Sequence, residues 1–170
     1  MEISSNLSRM KNCSILIMGS NNVVKIGEKC NMNHCMLYIE DDNGKIEIGK
    51  HLSVVGECHI DIIEGRSVRI GDDCLFSSEI YFRVGDSHSI IDKSTNVRIN
   101  PSQDIVVGSH VWIGHDVKIL KGTQVPDNCV VATGAIVTGK HGFPRNCIIG
   151  GTPAKVLREN INWCAERINY

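Results

Sequence analysis

IVVGSHVWIGHDVKILKGTQVPDNCVVATGAIVT, residues 105 to 138, is the stretch that decides the fold. Val107, Ile113, Ile119, Val125, Val131 and Val137 are aliphatic and six residues apart. Four positions further on stand Val111, Val117, Thr123, Cys129 and Ala135, all small or aliphatic. A helix needs apolar residues every three to four positions, and a half-buried strand needs strict alternation, so a sustained period of six fits neither. It fits a parallel β-helix, in which a short strand and a corner take about six residues and three such units make a coil of about eighteen.

Outward from this stretch the pattern continues toward the N-terminus. V-K-I-G-E-K-C from Val24, I-E-I-G-K-H-L from Ile46 and V-R-I-G-D-D-C from Val68 stand in one phase with I-V-V-G-S-H-V from Ile105. The first three copies begin 22 residues apart, so each early coil is expected to carry a small insertion, at Asp41–Gly44 and again at Glu64–Arg66. Gly27, Gly49, Gly71 and Gly108 follow an inward aliphatic and are expected at corners, where backbone without a side chain turns easily. Residues 1 to 20 show no clear repeat and are expected to cap the open end of the column, with Ile15 and Ile17 alternating as a strand. After Phe82 the repeat gives way to RVGDSHSIIDKSTNVRINPSQD, an extended loop over residues 83–104 and the longest interruption in the chain. A polar excursion from a rigid scaffold is a usual location for function. Val156, Leu157, Ile161 and Trp163–Ile168 stand at roughly helical spacing, predicting a short C-terminal helix over residues 154–170.

At 170 residues with 42% hydrophobic content, a single domain over residues 1–170 is the default. A net charge of −1 and 5% aromatics leave no basic footprint and no stacking platform, which argues against a nucleic-acid partner. The N-terminal apolar run Ile15–Met18 is far too short for a signal-peptide core or a membrane span, so a soluble, cytoplasmic protein is expected. Among the eight cysteines there is no C-x-x-C pair, and Cys30, Cys58, Cys74 and Cys129 fall at small inward positions. They read as packing thiols rather than metal ligands or disulfides.

GSHVWIGHDVKILKG, NCVVATGAIVTGK and CIIGGTPAKVLRE together resemble the C-terminal half of the hexapeptide-repeat acyltransferases, a family that uses acetyl-CoA. With RVGDSHSIID and R-I-N before the core, the chain most resembles the sugar and capsular-polysaccharide O-acetyltransferases, over roughly residues 24 to 158. The resemblance implies an all-β, left-handed parallel β-helix of hexapeptide repeats. The hand comes from the resemblance alone, since parallel crossovers are otherwise right-handed in about 98% of cases.

It also implies an acetyl-CoA-dependent O-acetyltransferase acting on a sugar hydroxyl, with the long loop at its active site. Of seven histidines only His88 lies in that loop, in a D-S-H-S-I context that matches the family's catalytic histidine. A sugar alcohol is protonated at neutral pH and needs a base to attack a thioester, and imidazole is poised for that proton. Asp86 is a candidate to orient the ring, as a backbone carbonyl would be. Trp112 takes an outward place in its hexad and matches a tryptophan beside the family's acetyl-CoA groove. A surface aromatic covered by a neighbouring subunit is the plain alternative, and the two are compatible. Matching positions make His115, Thr133, Thr138, Lys155 and Arg158 candidates for cofactor contact. Where relatives carry a lysine directly after Thr138 this chain has Gly139, and Lys140 stands one place later as the candidate phosphate contact. The resemblance further implies a homotrimer and no metal.

Other readings stay open at this level. An N-acetyltransferase on an amino sugar is the nearest. The γ-type carbonic anhydrases share the fold and hold zinc by three histidines, and His110 and His115 are five apart, but at places in the hexad that family does not use. A non-catalytic assembly module is the third.

Overall fold

The computed structural model describes residues 2–3, 8–139 and 142–168. The chain winds as a parallel β-solenoid of about six turns. Coil one contains β1 (Glu2–Ile3), β2 (Arg9–Lys11) and β3 (Ser14–Ile17); coil two β4 (Val23–Ile26), β5 (Asn31–Asn33) and β6 (Cys35–Ile39). Coil three contains β7 (Lys45–Ile48), β8 (Ser53–Val54) and β9 (Cys58–Ile62); coil four β10 (Ser67–Ile70), β11 (Leu75–Phe76) and β12 (Ile80–Arg83). After the long loop come β13 (Ile105–Val107), β14 (Trp112–Ile113) and β15 (Lys118–Leu120), then β16 (Gln124–Val125), β17 (Val130–Val131) and β18 (Ile136–Val137), and last β19 (Ile148–Gly151) and β20 (Ala154–Arg158).

These strands form three faces. The first runs β1-β4-β7-β10-β13-β16, the second β2-β5-β8-β11-β14-β17-β19-β20, and the third β3-β6-β9-β12-β15-β18. Register explains the period of six: one aliphatic per strand stacks on its equivalent a coil away. Val24 pairs with Ile46, Ile46 with Val68 and Val68 with Ile105, all buried. Met32, Val54, Phe76, Ile113, Val131 and Ile149 make a second such column. Each fully buried side chain of this kind contributes about 1.5–3 kcal/mol. Phe76 and Phe82 stack across the interior at 5.8 Å between ring centroids. The secondary set, Val111, Val117, Thr123, Cys129 and Ala135, is entirely buried. Thr123 satisfies its hydroxyl by donating to the carbonyl of Val137 at 3.1 Å. Cys30, Cys58 and Cys74 are buried free thiols, and burial pushes the Cys74 thiol up to about 12, the behaviour of packing groups.

The glycines differ from expectation in an instructive way. At the corner between the first and second faces the left-handed residues are Lys29, His51, Asp73, His110 and Asn128, with φ of 56°, 58°, 58°, 55° and 60°. Gly27, Gly49, Gly71 and Gly108 stand just before those corners, at the closest approach of successive coils. A Cβ on Gly27 would meet the Gly49 carbonyl oxygen at 2.5 Å, and one on Gly71 would meet the Gly108 carbonyl carbon at 2.6 Å. They are there for want of space, not for want of a turn.

At the N-terminus Ile15 and Ile17 lie in strand β3, as expected, within a first coil whose β1, β2 and β3 pair in parallel with β4, β5 and β6. The C-terminal helix is not formed. Residues 154–158 are strand β20, antiparallel to β19, and no helix occurs among the described residues. Beyond it Ile161 donates its amide to Asn146, and Trp163 lies over the second face. That packing replaces helical periodicity with a strand held by its ladder to β19 and a strap held by the Asn146 and His110 carbonyls and the His110 ring. No helix among the described residues is long and apolar enough to cross a membrane.

Candidate active site

The long loop leaves the column after β12 and returns at β13, at the corner between the third and first faces. Its two legs are tied together: Gln103 donates its amide to Val84, and Ile99 donates to Ile90 at 2.9 Å. Ile91 and Arg98 form an antiparallel bridge. At the tip, Asp92 Oδ1 accepts the amides of Ser94 and Thr95, both at 2.9 Å, and both hydroxyls. The Ser94 hydroxyl first, and then those amides, hold its carboxyl down to about 2. Asp92 is therefore a turn-capping residue. The result is a hairpin arm that turns Ile90, Ile91, Val97 and Ile99 outward, each about half exposed.

Three column residues that the sequence reading did not single out hold the arm. Glu64, in the turn of coil three, binds Arg98 at 2.6 Å and accepts the Ser102 amide at 3.2 Å, and the guanidinium holds its carboxyl below the usual range. Arg83, at the end of β12, donates to the Gly85 carbonyl at 2.9 Å and to Ser87 Oγ, and is itself paired with Asp61. Lys121, following β15, pairs with Asp86 and donates to the Asn100 carbonyl at 3.3 Å. Lys121 first, and then Asn100, depress the Asp86 carboxyl. Each of these cations has a carboxylate partner on the neighbouring coil or on the arm, a relation that only coil stacking reveals.

Against the arm's root lies a cleft of about 310 Å³, whose lining includes Arg83, Asp86, Gln103, Leu120, Lys121 and Thr138. His88, two residues beyond Asp86, is exposed. Its amide donates to the Asp86 carbonyl at 2.6 Å and its carbonyl accepts from Asn100 at 2.8 Å. Among the described residues no hydrogen bond to its ring is found. The Asp86 carboxylate is turned to Lys121 and Asn100 rather than to the imidazole.

The remaining candidates lie elsewhere on the column. Trp112 is on the second face, 42% exposed, with the Trp163 ring 6.1 Å away. Trp163 stacks on His110 at 4.2 Å and donates its indole N–H to the His110 carbonyl at 2.9 Å. His115 and Thr133 are exposed at the corner between the second and third faces, where His115 Nδ1 lies 3.0 Å from Ser78 Oγ. Lys155 and Arg158 are exposed on β20. Lys140 falls outside the described residues. One chain thus brings Asp86, His88 and Thr138 to one corner and sets Trp112, His115, Thr133, Lys155 and Arg158 on other surfaces. His110 is committed to Trp163 and to Asn128 at 3.1 Å, away from His115.

No protein-family model matches the chain. It is 32% identical over 169 residues to a polysialic acid O-acetyltransferase of Neisseria meningitidis, covering 88% of this chain and 78% of the relative. It is 32% identical over 119 residues to a polysialic acid O-acetyltransferase of Escherichia coli O1:K1 / APEC, covering 70% of this chain but only 38% of that longer relative. Among solved structures, the polysialic acid O-acetyltransferase OatWY matches with a TM-score of 0.76 and 26% identity, over 98% of this chain and 88% of that one.

Proposed function

The chain belongs to the hexapeptide-repeat sugar O-acetyltransferases, left-handed β-helix proteins, and from that premise we propose that it moves an acetyl group from acetyl-CoA to a sugar hydroxyl, with His88 as general base. The observation that carries this reading is that His88, the one histidine of the arm, stands two residues from Asp86, which lines a cleft built from three successive coils.

In the proposed reaction a neutral His88 nitrogen takes the acceptor's hydroxyl proton while the oxygen attacks the thioester carbonyl. The C–S bond then breaks, and the imidazolium returns the proton to the departing thiolate, giving an acetyl ester and free coenzyme A. The transfer is direct and every proton is accounted for without a metal. Asp86, held by Lys121 and Asn100, keeps the loop in place in this conformation and is the nearest carboxylate in sequence to the imidazolium that forms.

Acetyl-CoA is long, with an apolar arm and an anionic end. Trp112, His115, Thr133 and Thr138 are proposed to line its path, with Lys140, Lys155 and Arg158 meeting its phosphates. Because Trp112, His115, Thr133, Lys155 and Arg158 lie on other surfaces of the column than His88, the reading requires adjacent columns to share a site, and a homotrimer supplies that arrangement. The arm's outward aliphatics and Trp112 are the apolar surface such neighbours would cover. The reading puts the enzyme in the cytoplasm, where acetyl-CoA is available.

The test is ligand linkage. Acetyl-CoA should raise the thermal midpoint in proportion to the logarithm of its concentration above Kd, and Lys155→Ala and Arg158→Ala should weaken that protection while leaving the unliganded midpoint unchanged. Equal protection in both variants and the parent would remove the phosphate assignments.

A further inference from the structure

We propose that Asn100 is the positioning residue for His88; the inference rests on the reading of His88 as the base. Asn100 is only 7% exposed and lies where the arm's return leg passes under its outgoing leg. Its amide uses all four of its hydrogen-bonding positions. Nδ2 donates to Asp86 Oδ2 at 2.9 Å and to the His88 carbonyl at 2.8 Å. Oδ1 accepts the Ile90 amide at 2.7 Å and Arg98 Nε at 3.2 Å. The Nδ2 partners are acceptors only and the Oδ1 partners are donors only, so the network itself fixes which way the amide points.

One side chain therefore grips the residues two before and two after His88, together with the carbonyl of His88. The imidazole has no hydrogen bond of its own among the described residues, so its position is set through its backbone. That backbone is bound at both ends: the amide to Asp86 and the carbonyl to Asn100. Ser87, just before it, holds a left-handed φ of 59°, a conformation that needs such clamping in a residue with a Cβ. The Asn100 carbonyl in turn accepts from Lys121, which lines the cleft, so the same residue references the base to the place where the substrate would sit.

Asparagine is the side chain this geometry requires. An ionised carboxylate of the same shape would set one acceptor oxygen, in place of Nδ2, against both the Asp86 carboxylate and the His88 carbonyl. Burial and the facing Asp86 carboxylate, opposed by the Arg98 guanidinium on the other oxygen and by Lys121, would raise the pKa of that introduced carboxyl, so it would recover one donor as the pH falls.

The experiment compares Asn100→Ala, Asn100→Asp, His88→Ala and the double variant His88→Ala/Asn100→Asp. Turnover is read as thiol release from acetyl-CoA, with water as acceptor where no sugar is faster, and acetyl-CoA binding and thermal midpoints are measured in parallel. Displacing a catalytic group by about 1 Å costs on the order of 10²-fold, so Asn100→Asp should lower kcat by about that much at about pH 8 while acetyl-CoA binding is kept. The ratio of parent to Asn100→Asp turnover should narrow toward about pH 6, while the ratio for Asn100→Ala stays flat. In the His88→Ala background, Asn100→Asp should cost nothing further, because a residue acting only through His88 has nothing left to position. Parental kcat in the Asn100 variants, or losses that add in the double variant or merely follow folding and acetyl-CoA binding, would overturn the proposal while leaving His88 as base. Full turnover in His88→Ala would remove the underlying reading and this inference with it.

Discussion

Gly49→Ala tests the physical account of the column. A methyl group at Gly49 would stand 2.7 Å from the carbonyl carbon of Gly71 and 2.8 Å from its oxygen, which is backbone of the next coil and has nowhere to move. It would also strike Asp72 Oδ1, which accepts the Lys50 amide at 2.8 Å. Overpacking costs about 1–3 kcal/mol, and the lost hydrogen bond, on a partly solvated amide, about 1 kcal/mol more. The sum is about 2–4 kcal/mol, or roughly 10 °C in the thermal midpoint of a chain of this length. Gly134→Ala is the control: Gly134 has a φ of 72° and nothing within 4 Å of its built Cβ. There only the left-handed backbone is penalised, by about 1 kcal/mol. Thermal melts of both variants by circular dichroism make the comparison. If Gly49→Ala melts as high as Gly134→Ala, spacing between coils is not what selects glycine at Gly27, Gly49, Gly71 and Gly108, and the reasoning fails.

Glu64 is held below its ordinary pKa by Arg98 and then by Ser102, so its contribution to stability is present above the unfolded carboxyl value of about 4.3 and is lost as pH falls through the lower folded value. Glu64→Gln should therefore flatten the acid limb of a stability–pH curve below about pH 4, and an unaltered limb would refute the assignment. Trp163→Ala should lower the melting midpoint by the equivalent of about 1 kcal/mol through loss of the His110 stack, and should change the near-ultraviolet circular dichroism of Trp112. An unchanged spectrum and midpoint would mean that the strap does not lie on the second face in solution.

Much of the architecture was legible because a β-helix repeats its own contacts. The residues six apart from Val107 to Val137 face inward for one geometric reason, so a single stretch reveals the whole column. The arm was legible as an interruption, and the 22-residue spacing disclosed the insertions at Asp41 and Glu64. The last residues were not, because Val156, Leu157 and Ile161 satisfy helical spacing by accident, and only the contacts of β20 with β19 and of Trp163 with His110 select another outcome. The anchors of the arm were hidden for a related reason. Lys121 stands 35 residues from Asp86, and Arg98 stands 34 from Glu64, so neither pair is visible until coils are stacked. Asn100 was in plain view within R-I-N, yet its meaning depends on four partners that the hairpin brings to it.

The central claim is that His88 carries the proton in acetyl transfer. The measurement is the turnover of His88→Ala beside His110→Ala, with acetyl-CoA binding determined for both. His88 supports no core and His110 is engaged with Trp163 on another face, so His88→Ala should lose about 10²–10⁴-fold in kcat, the usual worth of a positioned base, with acetyl-CoA binding unchanged, while His110→Ala keeps parental turnover. Full turnover in His88→Ala, or loss of turnover in a folded His110→Ala, would contradict the account.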